Sequence, residues 1–117
     1  MHYGPISYMQ DGLITSHHLG SENSPYFQEA LNQSRKEFEG LHTLYNEWRL
    51  YLATMFAEVY FLNSLKRNEK FTFIECGVGL GMTNFLIQTY LRLKYGNKQI
   101  EKYFLYIGID TFEGINP

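Results

Sequence analysis

A chain of 117 residues has room for one small domain or part of a larger one. Apolar residues make up 44%, enough for a real core and too many for wholesale disorder. The formal charge of −2 supplies no broad basic field for a phosphate backbone, so nucleic acid is not expected as a partner.

Residues 1–23 mix glycines, Pro5, serines and three histidines with little periodicity, and read as an extended or irregular arm with no strand assigned. His17 and His18 are adjacent and lack a third ligand at suitable spacing, so no metal site is expected there. Ser24-Pro25 is a helix-start signal, a hydroxyl for the N-cap and then proline at the first helical position. Phe27, Ala30, Leu31, Ser34 and Phe38 recur at three- and four-residue steps, which predicts a helix over 25–39 with Gly40 as its stop.

Leu44, Trp48, Tyr51, Leu52, Met55, Phe56, Val59, Leu62 and Leu65 extend that spacing and predict a second helix over 43–66. Its apolar stripe is unusually wide, so burial against a sheet or a partner is expected, with a homo-oligomer through the Trp48 face as one form of it. Glu58, Asn63 and the preceding Arg49 interrupt this greasiest region, and no run approaches the about 18 apolar residues of a membrane span. The N-terminus also lacks a basic start with an apolar core, so a soluble, cytoplasmic protein without a membrane partner is expected.

From Phe71 the period changes. Residues 71–74 are aromatic and β-branched and suit a buried parallel strand. After a glycine stretch, Phe85, Leu86, Thr89, Tyr90 and Leu93 share one face of a helix predicted over 82–94, which breaks at Tyr95-Gly96-Asn97-Lys98. Residues 103–109 form another apolar run that ends at Asp110. Strand, glycine turn, helix and second strand make a βαβ unit, so the expected fold class is α/β.

The chemistry concentrates in Glu75-Cys76-Gly77-Val78-Gly79-Leu80-Gly81, where the first strand passes into its helix. Ligands bind at that carboxyl edge in open α/β folds, and glycines there permit close approach and positive φ. The alternative to a ligand turn is an ordinary tight strand–helix connection. A dinucleotide fingerprint wants G-x-G-x-x-G, but here the third glycine is Gly81 and position 82 is Met. Glu75 beside the turn would repel a pyrophosphate and suits a ligand carrying an ammonium and a sulfonium, which favours S-adenosylmethionine over NAD. Otherwise Glu75 caps the following helix. Asp110 at the tip of the next strand can accept hydrogen bonds from both ribose hydroxyls, or else opens a turn. Thr111 and Phe112 follow it, and Phe112 packs near an adenine or in the core. Cys76 stands alone, which excludes an internal disulfide, and it reads as a small buried filler.

Phe73-Ile74-Glu75-Cys76-Gly77-Val78 with Gly81, and then Asp110-Thr111-Phe112-Glu113-Gly114-Ile115-Asn116-Pro117, resemble the macrocin O-methyltransferase family of class I S-adenosylmethionine-dependent methyltransferases. The resemblance covers residues 71–117 and is loose before them. It implies a Rossmann-like fold, S-adenosylmethionine as methyl donor, and O-methylation of a small-molecule acceptor, often a sugar hydroxyl of a natural product. It also implies, for several relatives, a divalent metal such as Mg2+ in a full-length chain. Carried over by position, Glu75, Gly77, Gly79 and Gly81 face the methionine part, and Asp110, Thr111 and Phe112 the nucleoside. The turn departs from the family in Gly79-Leu80 and Met82, and Asn116 is an extra residue before Pro117.

Class I methyltransferases need about seven strands, so the expectation is a partial Rossmann-like fold: residues 1–70 as arm and two helices, and 71–117 as the truncated first half of a cofactor-binding domain. Such a fragment is expected to be inactive alone, with its catalytic residues elsewhere. The competing functions are a nucleotide-binding domain of NAD type and a non-enzymatic interaction module built on the aromatic helices.

Overall fold

The computed structural model describes residues 6–8, 13–15, 24–38, 47–78 and 81–111. The chain is mixed α/β, with four helices and a two-stranded parallel sheet among the described residues, plus a small antiparallel pair. That pair, β1 (Ile6–Tyr8) and β2 (Leu13–Thr15), lies in the arm for which the sequence predicts no strand. Three residues are too few for an alternating pattern to show.

α1 spans Pro25–Glu37, close to expectation. Ser24 holds the N-cap place in extended backbone and its carbonyl accepts from the Gln28 amide at 2.9 Å, but its hydroxyl makes no capping bond. The helix closes at Phe38, before the predicted end. α2 spans Glu47–Lys66, and the predicted start at 43–46 lies outside the described residues. It ends as a Schellman turn: Asn68 takes the left-handed place at φ 54°, and the Glu69 amide reaches back to the Ser64 carbonyl at 2.9 Å. Asparagine tolerates that conformation where most residues do not.

β3 (Phe71–Cys76) runs two residues beyond the predicted strand and pairs in parallel with β4 (Phe104–Ile109), Phe71 opposite Phe104 through Cys76 opposite Ile109. Between them lie α3 (Met82–Tyr95) and α4 (Asn97–Tyr103). Residues 97–98, read from sequence as part of a break, open α4, which buries Ile100. Gly96 supplies the interruption, and one seven-residue helix is too short for its period to be seen.

One core joins α1, α2, α3 and α4. Phe27, Ala30 and Leu31 of α1 meet Leu50, Ala57 and Phe61 of α2 and Leu86, Ile87, Tyr90 and Leu91 of α3. Two buried hydroxyls are satisfied within their own helices, Ser34 on the Ala30 carbonyl at 2.8 Å and Thr54 on the Leu50 carbonyl at 2.7 Å. The sheet meets this core through Phe71, Phe73 and Phe104, whose rings pack around Phe61 and each other.

Three burial expectations fail. β3 is covered on one face only, and Ile74, Leu105, Ile107 and Ile109 on the other face stay 40–59% exposed. Cys76 lies on that open face and is exposed, not a buried filler. α2 buries Leu50, Ala57 and Phe61 and keeps Phe56, Val59 and Tyr60 at 55–62% exposed on the other side, the part of its stripe for which a partner is the expected cover. On α3, Leu93 is 39% exposed, whereas Met82, Ile87 and Leu91 join Leu86, Thr89 and Tyr90 inside. No helix among the described residues is long and apolar enough to cross a membrane.

Candidate functional site

Parallel pairing fixes where the predicted acids end up. Glu75 lies opposite Gly108 and Cys76 opposite Ile109, so Asp110, which follows β4, lies at the same carboxyl edge as Glu75, the penultimate residue of β3. The Gly77 amide donates to the Ile109 carbonyl at 2.9 Å and carries the ladder one step past the strands. The connection to α3 therefore leaves the sheet beside Asp110.

Gly77 has φ +74° and Gly81 φ +84°. The Gly81 amide donates to the Val78 carbonyl at 3.1 Å, which closes the turn, and the Gly81 carbonyl receives the Phe85 amide at 3.0 Å, which opens α3. A Cβ at either glycine would meet nothing within 4 Å. The need for glycine at these two positions is thus conformational. Gly81→Ala is expected to cost about 1–2 kcal/mol, the penalty of left-handed backbone with a side chain, read as a lowered denaturant midpoint at unchanged slope.

Glu75 is half-buried, on the same strand face as Phe71 and Phe73. Its Oε1 accepts from the Tyr106 hydroxyl at 2.7 Å. Burial, and then the bond to Glu75 and its charge, push the tyrosine pKa up to about 12, so at neutral pH it is a donor. The Tyr106 ring stacks on Phe73 at 5.8 Å and 19°. Gly108 makes this possible: a Cβ there would stand 2.9 Å from Val78 Cγ2 and 3.0 Å from the Tyr106 hydroxyl.

Asp110 is exposed, and Thr111 beside it directs its hydroxyl to Asp110 Oδ1 at 3.5 Å. Gly79 and Phe112 lie outside the described residues. The structure thus brings Glu75, Gly77, Gly81, Asp110 and Thr111 to one edge. No cluster of three His, Cys, Asp or Glu that could hold a metal occurs among the described residues. An open depression of about 560 Å³ runs along α3 between Gln33, Phe85, Thr89 and Arg92, and contains no residue of the strand ends. Comparison with protein-family models, curated proteins and solved structures gave no match.

Two groups escape the sequence reading. Tyr106 and Gly108 look like members of a plain apolar strand, and only the i to i+2 relation on β4 facing Glu75 on β3 hints that a small residue clears a path for a hydroxyl. The second is Glu58, whose Oε2 accepts from Tyr90 at 3.0 Å, Tyr95 at 2.7 Å and Lys94 at 2.8 Å. It joins α2 to α3, and nothing in its spacing marks it, since its partners are more than thirty residues away.

Proposed function

We propose that the chain forms the donor-binding part of an S-adenosylmethionine-dependent methyltransferase, on a partial Rossmann-like sheet, acting on a hydroxyl of a small-molecule acceptor. One observation carries the reading: Glu75 and Asp110 lie at the same carboxyl edge of adjacent parallel strands, and the connection that leaves β3 at that edge has left-handed glycines at positions 77 and 81. That edge is where open α/β sheets take their ligands.

The residues present fit the donor's chemistry. The donor has a zwitterionic amino-acid end, a sulfonium and a nucleoside. Glu75 suits the ammonium, and the N-terminal turn of α3, which has no acidic side chain, suits the carboxylate. Asp110 suits the ribose diol, with charge-assisted hydrogen bonds. A pyrophosphate at the same place would face the Glu75 carboxylate, which disfavours NAD. When bound, the donor supplies a methyl group activated by its sulfonium; these residues bind and orient it.

Calorimetric titration of the chain with S-adenosylhomocysteine and with NADH tests the reading. Binding of the first and not of the second is expected. Asp110→Ala is expected to weaken that binding by at least about tenfold, the loss of hydrogen bonds to a charged acceptor. NADH binding without S-adenosylhomocysteine binding overturns the proposal.

A second reading, a module that associates with a partner through α2, draws on the exposed Phe56, Val59 and Tyr60. Sedimentation equilibrium separates it: concentration-dependent self-association abolished by Phe56→Ser, with no nucleoside binding, is its expected result.

A further inference from the structure

We propose that Tyr106 is a positioning residue, which holds the Glu75 carboxylate by Oε1 and leaves Oε2 to receive the ammonium of the donor; this rests on the donor-site reading above. Three observations converge. The Tyr106 hydroxyl reaches Glu75 Oε1 at 2.7 Å, and among the described residues it is the one hydrogen-bond partner of that carboxylate. The tyrosine is itself held, with its ring stacked on Phe73 at 5.8 Å. Position 108, directly opposite Glu75 in the ladder, carries no side chain, and any Cβ there would press on the tyrosine hydroxyl at 3.0 Å.

Physically, a glutamate at a strand end loses rotamer freedom when it takes a ligand, and that loss subtracts from affinity. A neutral donor already bonded to one oxygen removes part of it beforehand. Because tyrosine at neutral pH donates without bringing a charge, it fixes the carboxylate and leaves the negative charge in place for a cation. A lysine or arginine at 106 would fix Glu75 equally well but cancel that charge. The pair therefore selects a ligand end that is cationic, and a donor analogue without its amino-acid end gains nothing from it.

The test uses the full chain and two probes, S-adenosylhomocysteine, which has the ammonium, and 5′-methylthioadenosine, which lacks the amino-acid end. Tyr106→Phe keeps the ring stack and removes only the hydroxyl. It is expected to weaken S-adenosylhomocysteine about fivefold, the worth of one hydrogen bond, and to leave 5′-methylthioadenosine unchanged. Glu75→Gln is expected to weaken S-adenosylhomocysteine by more than about tenfold, and the double variant no further than Glu75→Gln alone. Gly108→Ala, which displaces the hydroxyl from the opposite strand, should reproduce the Tyr106→Phe pattern if either variant proves unstable. If Glu75→Gln loses affinity while Tyr106→Phe and Gly108→Ala bind as the parent does, the positioning role is overturned and the donor site stands. Equal losses for both probes in Tyr106→Phe also overturn it. If the parent chain binds neither probe, the donor-site reading fails and this inference with it.

Discussion

Phe61→Ala is expected to destabilise the chain by about 3–5 kcal/mol, the usual cost of removing a fully buried aromatic ring. Phe61 has no exposed surface and stands where the helices meet the sheet, with ring centroids 5.9 Å from Tyr95, 6.2 Å from Phe71 and 6.4 Å from Phe104. Phe71 and Phe104 begin the two paired strands, so the cavity opens under the first step of the ladder. Domains are held by roughly 5–15 kcal/mol in total, and this one change removes a large part of that. Urea unfolding followed by far-UV circular dichroism measures it. A loss under about 1.5 kcal/mol would mean that the sheet and α2 are not packed through this ring.

Glu58→Ala has the second largest expected effect, about 2–3 kcal/mol. Its side chain is 13% exposed and takes hydrogen bonds from Tyr90, Tyr95 and Lys94 on one oxygen. Deletion strands two tyrosine hydroxyls without an acceptor at the α2–α3 contact. Lys94 is 36% exposed and adds less, because solvent screens it.

The same cluster gives stability a defined pH profile. Burial opposes the charged form of Glu58, but the bonds from Lys94, Tyr95 and Tyr90 and the charge of Lys94 outweigh it and hold the carboxyl below its ordinary 4.5. A lowered carboxyl pKa contributes stability that is full above about 4.5 and is lost as pH falls through the folded value. At the other end, the bond to Glu58 raises Lys94 above 10.5, while burial and then the bond to Glu58 push Tyr95 up to about 12. Burial and the same acceptor raise Tyr90 as well. These contributions are complete below about 10 and disappear as pH rises toward the folded values. Stability measured from pH 3 to 12 should therefore plateau between these limits, and Glu58→Gln should flatten both flanks. Identical profiles for parent and Glu58→Gln would show that the cluster is not coupled to folding.

Local signals in the chain were enough for its three longer helices and its parallel strands. Ser24-Pro25 marked the start of α1, the three- and four-residue spacing marked α1, α2 and α3, and the change of period at Phe71 marked β3. Their physical basis is short-range: which residues can share a face, and which backbone can follow. The same holds for the acids and glycines at the strand ends, since a strand–turn–helix–strand order in parallel pairing leaves Glu75 and Asp110 at one edge. Elements of three to seven residues, β1, β2 and α4, were not legible, because one or two turns of any period cannot be told from chance.

Burial on two faces was not legible either. An apolar Ile74 reads the same whether a helix lies over it or solvent does, and only the packing of α2, α3 and α4 around one core decided that Phe73 is covered while Ile74, Ile107 and Cys76 are not. Sequence alone therefore determined which of the longer segments are helix or strand and which chemistry stands at their junctions, because those depend on neighbours along the chain. Tertiary structure alone decided that Tyr106 holds Glu75 across Gly108 and that Glu58 gathers Tyr90, Tyr95 and Lys94. A hydrogen bond between residues some thirty positions apart depends on how two elements lie side by side, and no local preference encodes that.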